Sequence, residues 1–411
     1  NKKEMRKIEM KSEYEKNILP FINDFDTFIN FICEKDPNLS NTKQVLGKSD
    51  CFALNSQLHF QKSVTKASSN QDQYEAIDLF FSLAVKSKLF LIIINNKNKF
   101  KLVKTSRLEE YLNLNIYEKY VFLLEYFWTN YKFEEELKND IIAFGKLIYV
   151  ISRSKPENKI LKENVSSVNP LFSYYSKITK ILRILGLCEL ETIDNIKNRY
   201  NDCIRSIIPT KFGIEICKIL INKALDYLNS EYFYIDMIRE ICKIKDIDVE
   251  ETFFEIISQV FEQELIQKSI DTDIQVNRKG TYILKISLDN NLWRVVRLSH
   301  KTKLHKLHLV IQKAFEFDND HMYAFYKGAS YRNGEEFYSA NPFGESEEYE
   351  DLTIEDAELY KGQQFIYLFD FGDMWEFKIQ VMDFIENEEI CVLPEIIQSE
   401  GKSPDQYADW N

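Results

Sequence analysis

The stretch Phe365-Ile-Tyr-Leu-Phe-Asp-Phe-Gly-Asp-Met-Trp-Glu-Phe-Lys-Ile379 decides how the last third of the chain is read. Phe365, Tyr367, Phe369 and Phe371 alternate with Ile366, Leu368 and Asp370, so the segment is apolar on nearly both faces. A strand of that kind lies inside a sheet rather than at its edge. After Gly372-Asp373 the alternation restarts, with Trp375, Phe377 and Ile379 on one side and Glu376 and Lys378 on the other. The chain therefore turns a tight corner into a second strand. Asp370 and Asp373 flank that corner, a position where loops commonly carry function.

Working outward, a strand is expected over 282–288, a turn at Asp289-Asn290-Asn291, and a return strand over 293–298. Leu304, Leu307, Val310, Ile311 and Ala314 recur at helical spacing. A third strand is expected over 322–326, then a long acidic loop over 327–351, a short helical turn over 352–357, and the strand quoted above. Hairpin, crossing helix, strand, short turn, strand is the order of the β-grasp (ubiquitin-like) layout. Its first and last strands run parallel in the middle of the sheet, and the strand over 375–382 is then an addition.

The same residues resemble a known family. Trp293-Arg294, Leu307-His308, Ile311-Gln312, Ala314-Phe315, Asp318, His321, Phe325, Asp370-Phe-Gly-Asp373 with Trp375, Gly401-Lys-Ser-Pro404 and Gln406-Tyr407 are similar, in order, to blocks of the plasmid pRiA4b ORF-3-like family, also described as insertion-element passenger proteins. The resemblance covers 281–411. It implies a bacterial plasmid or transposon origin and no established activity. The Cys- and Gly-Gly-rich tail of some members is reduced here to Cys391.

The preceding residues have another character. Within 411 residues and a net charge of −12, residues 281–411 hold 12 Lys+Arg against 25 Asp+Glu, while the rest holds 41 against 40. The acidity belongs to the C-terminal third, and the shift places a boundary near 271–280. Three domains are expected, over 1–150, 151–272 and 273–411. The fold class is multidomain α+β: a mainly helical N-terminal part, then the β-grasp-like domain. Residues 74–85 suit an amphipathic helix, 89–94 a strand, 95–98 a turn and 100–103 a return strand. Ser106 is the expected cap of the next helix, with Glu109 at the capping-box spacing. Helix, strand, turn, strand, helix is a winged-helix-like order. It recurs over 171–225, with a long polar loop over 194–202, after a linker over 152–170. Lys86, Lys88, Lys97, Lys99, Lys101, Lys104 and Arg107 surround the first candidate wing, with no Asp or Glu between Leu79 and Leu108. They suit phosphate contacts and equally suit a solvated hairpin.

No apolar run approaches the ~20 residues of a membrane span, so no membrane contact is expected. Seven scattered cysteines without a Cys-x-x-Cys pair point to reduced thiols in a cytoplasm. Asp370-Phe371-Gly372 imitates a kinase triplet, but no Gly-x-Gly or His-Arg-Asp accompanies it. The remaining candidate cluster is His308, His321, Asp370 and Asp373, with Trp375 beside it. Two imidazoles and two carboxylates could bind a transition metal or act as acid and base; they equally suit a structural corner. His300 and His305, among Lys301, Lys303 and Lys306, are expected to be exposed. The expected function is a non-catalytic regulatory or scaffold protein of a mobile element. It would bind DNA through its N-terminal part or a basic protein on its acidic C-terminal domain, without a cofactor. The alternative is a metal-dependent hydrolase or nuclease using the His/Asp cluster.

Overall fold

A computed structural model of the chain describes residues 2–137, 140–165, 170–173, 176–193, 204–245, 250–270, 278–340, 352–388 and 393–407. The polar loop over 194–202, the acidic run 341–351, Cys391 and most of the expected boundary segment lie outside the described residues. The chain forms two compact units. The first holds Asn1–Asp36, Lys48–Phe90 and Lys104–Thr272; the second holds Pro37–Gly47, Leu91–Val103 and Asp273–Asn411. No helix among the described residues is long and apolar enough to cross a membrane.

In the first unit, helix Lys2–Lys35 buries Ile18, Phe21, Ile22, Phe25, Phe28, Ile29 and Ile32, the stripe that helical spacing produces. Helix Glu75–Lys86 sets Phe80 against Phe21, Phe25 and Phe28. Strands β1 (Phe90–Ile94) and β2 (Phe100–Lys104) form a hairpin that, over Leu91–Val103, is part of the second unit. Helix Ser106–Leu112 follows, with Thr105 at the cap position instead of Ser106. No side-chain capping bond forms, because the Thr105 hydroxyl donates to the carbonyl of Lys88 (2.7 Å). Helix Ile116–Asn130 opens with a complete capping box between Asn115 and Glu118. The expected division at 150 falls inside this unit: helix Ile141–Arg153 packs along helix Lys211–Lys223, and the Trp128 indole donates to the carbonyl of Ala224 (2.7 Å).

The stretch expected as a linker contributes a strand. β3 (Ile160–Leu161), β4 (Cys188–Thr192) and β5 (Ile204–Pro209) form a sheet of order β3-β5-β4. Gly213, in the first turn of the next helix, lies where a Cβ would come within 1.8 Å of the Leu187 carbonyl oxygen, so only glycine fits.

The second unit is built on a sheet of seven strands among the described residues. They are β6 (Gly280–Ser287), β7 (Trp293–Ser299), β8 (Tyr323–Lys327), β9 (Glu335–Ala340), β10 (Gln364–Phe369), β11 (Trp375–Glu386) and β12 (Glu395–Glu400). Their order is β12-β7-β6-β11-β10-β8-β9, and every pairing is antiparallel. The strand quoted first, β10, is interior as expected. The parallel central pair does not form. β11, expected as an addition, lies between β6 and β10. The cause is local: Asp370 adopts a left-handed conformation (φ 54°), and the Met374 amide donates to the Asp370 carbonyl (2.6 Å). A corner this tight returns the chain directly alongside β10, so β6 must pair with the far side of β11. Two strands went unread, β9 inside the expected acidic loop and β12 at the opposite edge. Both are polar edge strands with little burial pattern.

Helix Leu304–Phe315 covers one face of the sheet. Leu304, Leu307, Ile311 and Phe315 meet Phe365, Tyr367, Phe369, Phe377 and Ile379 in one core. Ile366 and Leu368 are buried on the other face, where Glu376 accepts from the Ser330 hydroxyl (2.9 Å) and the Tyr331 amide (3.2 Å). The β1–β2 hairpin groups with this unit. The Ile94 amide donates to the Gly362 carbonyl (2.8 Å), the Tyr360 hydroxyl donates to the Ile92 carbonyl (3.0 Å), and Leu39 pairs with Phe100 (2.8 Å). Gly362 has φ +85°, and a Cβ there would press on the Ile93 side chain at 3.0 Å.

Candidate functional site

His308 projects from the covering helix into the core and is fully buried. Its ring stacks on Tyr323 with centroids 3.7 Å apart. Nδ1 meets the Tyr367 hydroxyl at 2.6 Å, and Nε2 meets Asn319 Oδ1 at 2.7 Å. An amide oxygen only accepts, so Nε2 carries the proton and Nδ1 accepts from Tyr367. Tyr367 in turn accepts from Gln312 Nε2 (2.7 Å). Burial pushes the imidazole pKa down to about 4, which outweighs the bond to Asn319. His308 is thus a neutral member of a hydrogen-bonded core, and both ring nitrogens are engaged.

His321 lies at the entry to β8 under opposite conditions. It is partly exposed. Nδ1 is 2.7 Å from Asp320 Oδ1, and Nε2 is 3.6 Å from Asp370 Oδ2. The bond to Asp320 raises its pKa against the effect of burial, with the fields of Asp370, Asp320 and Asp373 adding to the rise. Asp370 is itself buried. Its Oδ1 accepts from the amides of Gly372 (2.8 Å) and Asp373 (3.4 Å), so it holds the corner and faces His321 together.

The chain near its end completes the cluster. Gln406 is buried; it accepts from the Asp318 amide (2.5 Å) and donates to Asp320 Oδ1 (3.1 Å). The Tyr407 hydroxyl donates to Asp320 Oδ2. Burial and the Asp320 carboxylate raise that phenol to about 12. Partial burial would raise Asp320, but the bonds from Tyr407 and His321 prevail and lower it. Arg294 secures the approach of this tail: its guanidinium donates to the carbonyls of Ala314 (2.8 Å) and Glu400 (2.7 Å) and to the Ser403 hydroxyl (3.1 Å).

Of the candidate cluster, His321, Asp370 and Asp373 come together, while His308 serves the core. Trp375 packs edge-on against Phe317 (5.0 Å). Among the described residues no group of three or more His, Cys, Asp or Glu side chains is arranged to hold a metal ion. Asp320, Gln406 and Tyr407 join the cluster without having been singled out as site residues. Their signals were the Asp320-His321 adjacency and the Gln406-Tyr407 block. His300 is buried rather than exposed, with Nδ1 3.2 Å from the backbone nitrogen and oxygen of Gly280. His305 is half-buried and bonded to the Tyr323 hydroxyl (2.7 Å).

The basic residues also divide. Lys86, Lys88, Lys104 and Arg107 belong to the first unit; Lys97, Lys99 and Lys101 belong to the second. Lys97, Lys99 and Lys104 are exposed, while Lys86, Lys88 and Lys101 are half-buried. Arg107 is buried; it donates to the Ser87 carbonyl and the Tyr126 hydroxyl, both at 3.0 Å, and faces the Phe122 ring. It braces the first unit from within.

Residues 280–407 match the family described as Plasmid pRiA4b ORF-3-like protein. No curated protein matches the chain. A similar solved structure is that of a protein of unknown function, MM3350 from Methanosarcina mazei Go1. It is 19% identical, covers 31% of this chain and 72% of its own, and has a TM-score of 0.26.

Proposed function

From a segment, 280–407, that belongs to the plasmid pRiA4b ORF-3-like family, we propose that this chain is a non-catalytic regulatory or scaffold protein of a bacterial mobile element. Its C-terminal unit docks a basic protein partner. The observation that carries the reading is the gathering of Asp320, Asp370 and Asp373 around His321 at one end of the sheet. Carboxylates held by backbone amides and by Tyr407 are fixed in place, and a concentration of one sign of charge steers an oppositely charged partner. The excess of 25 acids over 12 bases in 281–411 extends the same field.

The finer architecture belongs to this reading. The C-terminal unit is a β-grasp-like sheet and helix elaborated by the insertion of β11. The two helix-strand-strand-helix stretches are winged-helix-like, and the first offers Lys97, Lys99 and Lys101 to DNA or to an acidic partner. Two experiments on the full chain test the two halves. Capture of basic proteins should weaken with salt and with Asp320→Asn plus Asp373→Asn; capture indifferent to both removes the acidic end as the docking site. Duplex DNA should bind at low salt, and more weakly after charge reversal at Lys97, Lys99 and Lys101. Absence of binding at low salt ends the DNA contact.

A further inference from the structure

The acidic end is also apolar. Met322, Phe371, Met374 and Tyr407 are 40%, 39%, 43% and 51% exposed. Backbone bonds join the segments that carry three of them: the Asp370 amide donates to the Met322 carbonyl (3.0 Å), and the Met374 amide to the Asp370 carbonyl (2.6 Å), with Phe371 inside the turn so closed. Tyr407 is brought alongside by its bond to Asp320, with its ring 6.3 Å from that of His321. Met322, Phe371 and Met374 are therefore neighbours of Asp320, Asp370 and Asp373. The basic side chain among them, His321, is already engaged by two carboxylates. Large apolar side chains grouped in this way mark an interaction surface, and methionines adapt to varied partners.

The charge selects the occupant. Nucleic acid and anionic lipid would meet fixed carboxylates of their own sign. A two-fold contact with a second copy would set this acidic end against itself. We propose that the β10–β11 corner takes a segment of another protein in which Arg or Lys alternates with apolar side chains. The cation lies at Asp320 and Asp373, and the apolar flanks lie on Met322, Phe371, Met374 and the Tyr407 ring. The proposal rests on the docking role argued above and adds that the surface selects apolar as well as basic residues.

Fluorescence anisotropy of two labelled peptides with the full chain tests it. One peptide alternates Arg with Leu; the other alternates Arg with Gly and has equal charge. The Arg–Leu peptide should bind at least about tenfold more tightly. Phe371→Ser with Met374→Ser should remove that preference, and Met322→Ser, which leaves the corner backbone untouched, should reduce it. Asp373→Asn should weaken both peptides. Equal binding of the two peptides overturns the apolar selectivity and leaves the acidic docking role standing. Binding of neither overturns both. A preference unchanged by the serine variants overturns the assignment to this corner. Self-association of the chain that the serine variants abolish makes the occupant a second copy and overturns the choice of partner.

Discussion

His308 and His321 are carried by neighbouring elements of one unit, yet their surroundings have made them different groups. His308 is fully buried; its direct partners are the Tyr367 hydroxyl, the Asn319 amide and the Tyr323 ring, and its pKa falls to about 4. His321 keeps part of its surface in water, lies between carboxylates, and its pKa rises. Residue type states what chemistry is available. Burial and the sign of the nearest charge decide which of it is used. The same pair separates packing from recognition: a buried polar network is costly to break, whereas an exposed ion pair contributes little to stability.

That contrast can be broken by measurement. The largest effect is expected for His308→Ala, which removes the ring stacked on Tyr323 and leaves the buried Tyr367 hydroxyl without its acceptor. The cost should be about 4 kcal/mol in urea unfolding; a loss below about 1 kcal/mol would show that the network is not holding the core. The next effect is on pH dependence. The folded-state pKa of His308 lies below the ordinary 6.5, so the unfolded chain binds the extra proton between about 6.5 and 4. Stability should therefore fall as pH falls through that window. The His308 share reaches about 3 kcal/mol near pH 4 and should be missing from the pH–stability curve of His308→Gln.

Arg294→Ala comes third. It should cost about 2 kcal/mol and make the chain after Glu400 more sensitive to protease. The smallest change in stability belongs to His321→Asn, under about 1 kcal/mol. Its signature is a titration followed by NMR. A raised folded-state pKa means that the His321 contribution is complete below pH 6.5 and is lost as pH rises through the folded value. Asp320→Asn should move that titration to lower pH; an unmoved titration would remove Asp320 as its cause.

The sequence was most legible where burial is two-sided or strictly periodic. β10 could be read because Ile366 and Leu368 are as apolar as Phe365, Tyr367 and Phe369. Helix Leu304–Phe315 could be read from its stripe. β9 and β12 could not, because an edge strand with Glu335 and Glu336, or Glu395 and Glu400, resembles a loop. The order of the strands was hidden for another reason: whether β6 meets β10 or β11 depends on how tightly Asp370 and Met374 close the corner, which local preference does not reveal. Among the site residues, Asp370 and Asp373 were visible at a turn. The neutrality of His308 was not, since Tyr323 and Tyr367 reach it from distant strands. Arg107 was counted with the lysines because Ser87 and Tyr126, which enclose it, carry no charge to signal an internal role.

One feature of the second unit extends to its synthesis. Tyr360 and the backbone of Ile92 that it bonds are 268 residues apart in sequence. At roughly 5–20 residues per second, a ribosome makes the β1–β2 hairpin about 13–50 s before its partner turn. Throughout that interval Ile92, Ile93 and Ile94 are without the turn that meets them in the finished fold. The three isoleucines therefore wait on the order of 13–50 s for the turn that meets them. An isolated segment 280–407 meets the same problem from the other side, because Tyr360 and Gly362 then never receive the hairpin.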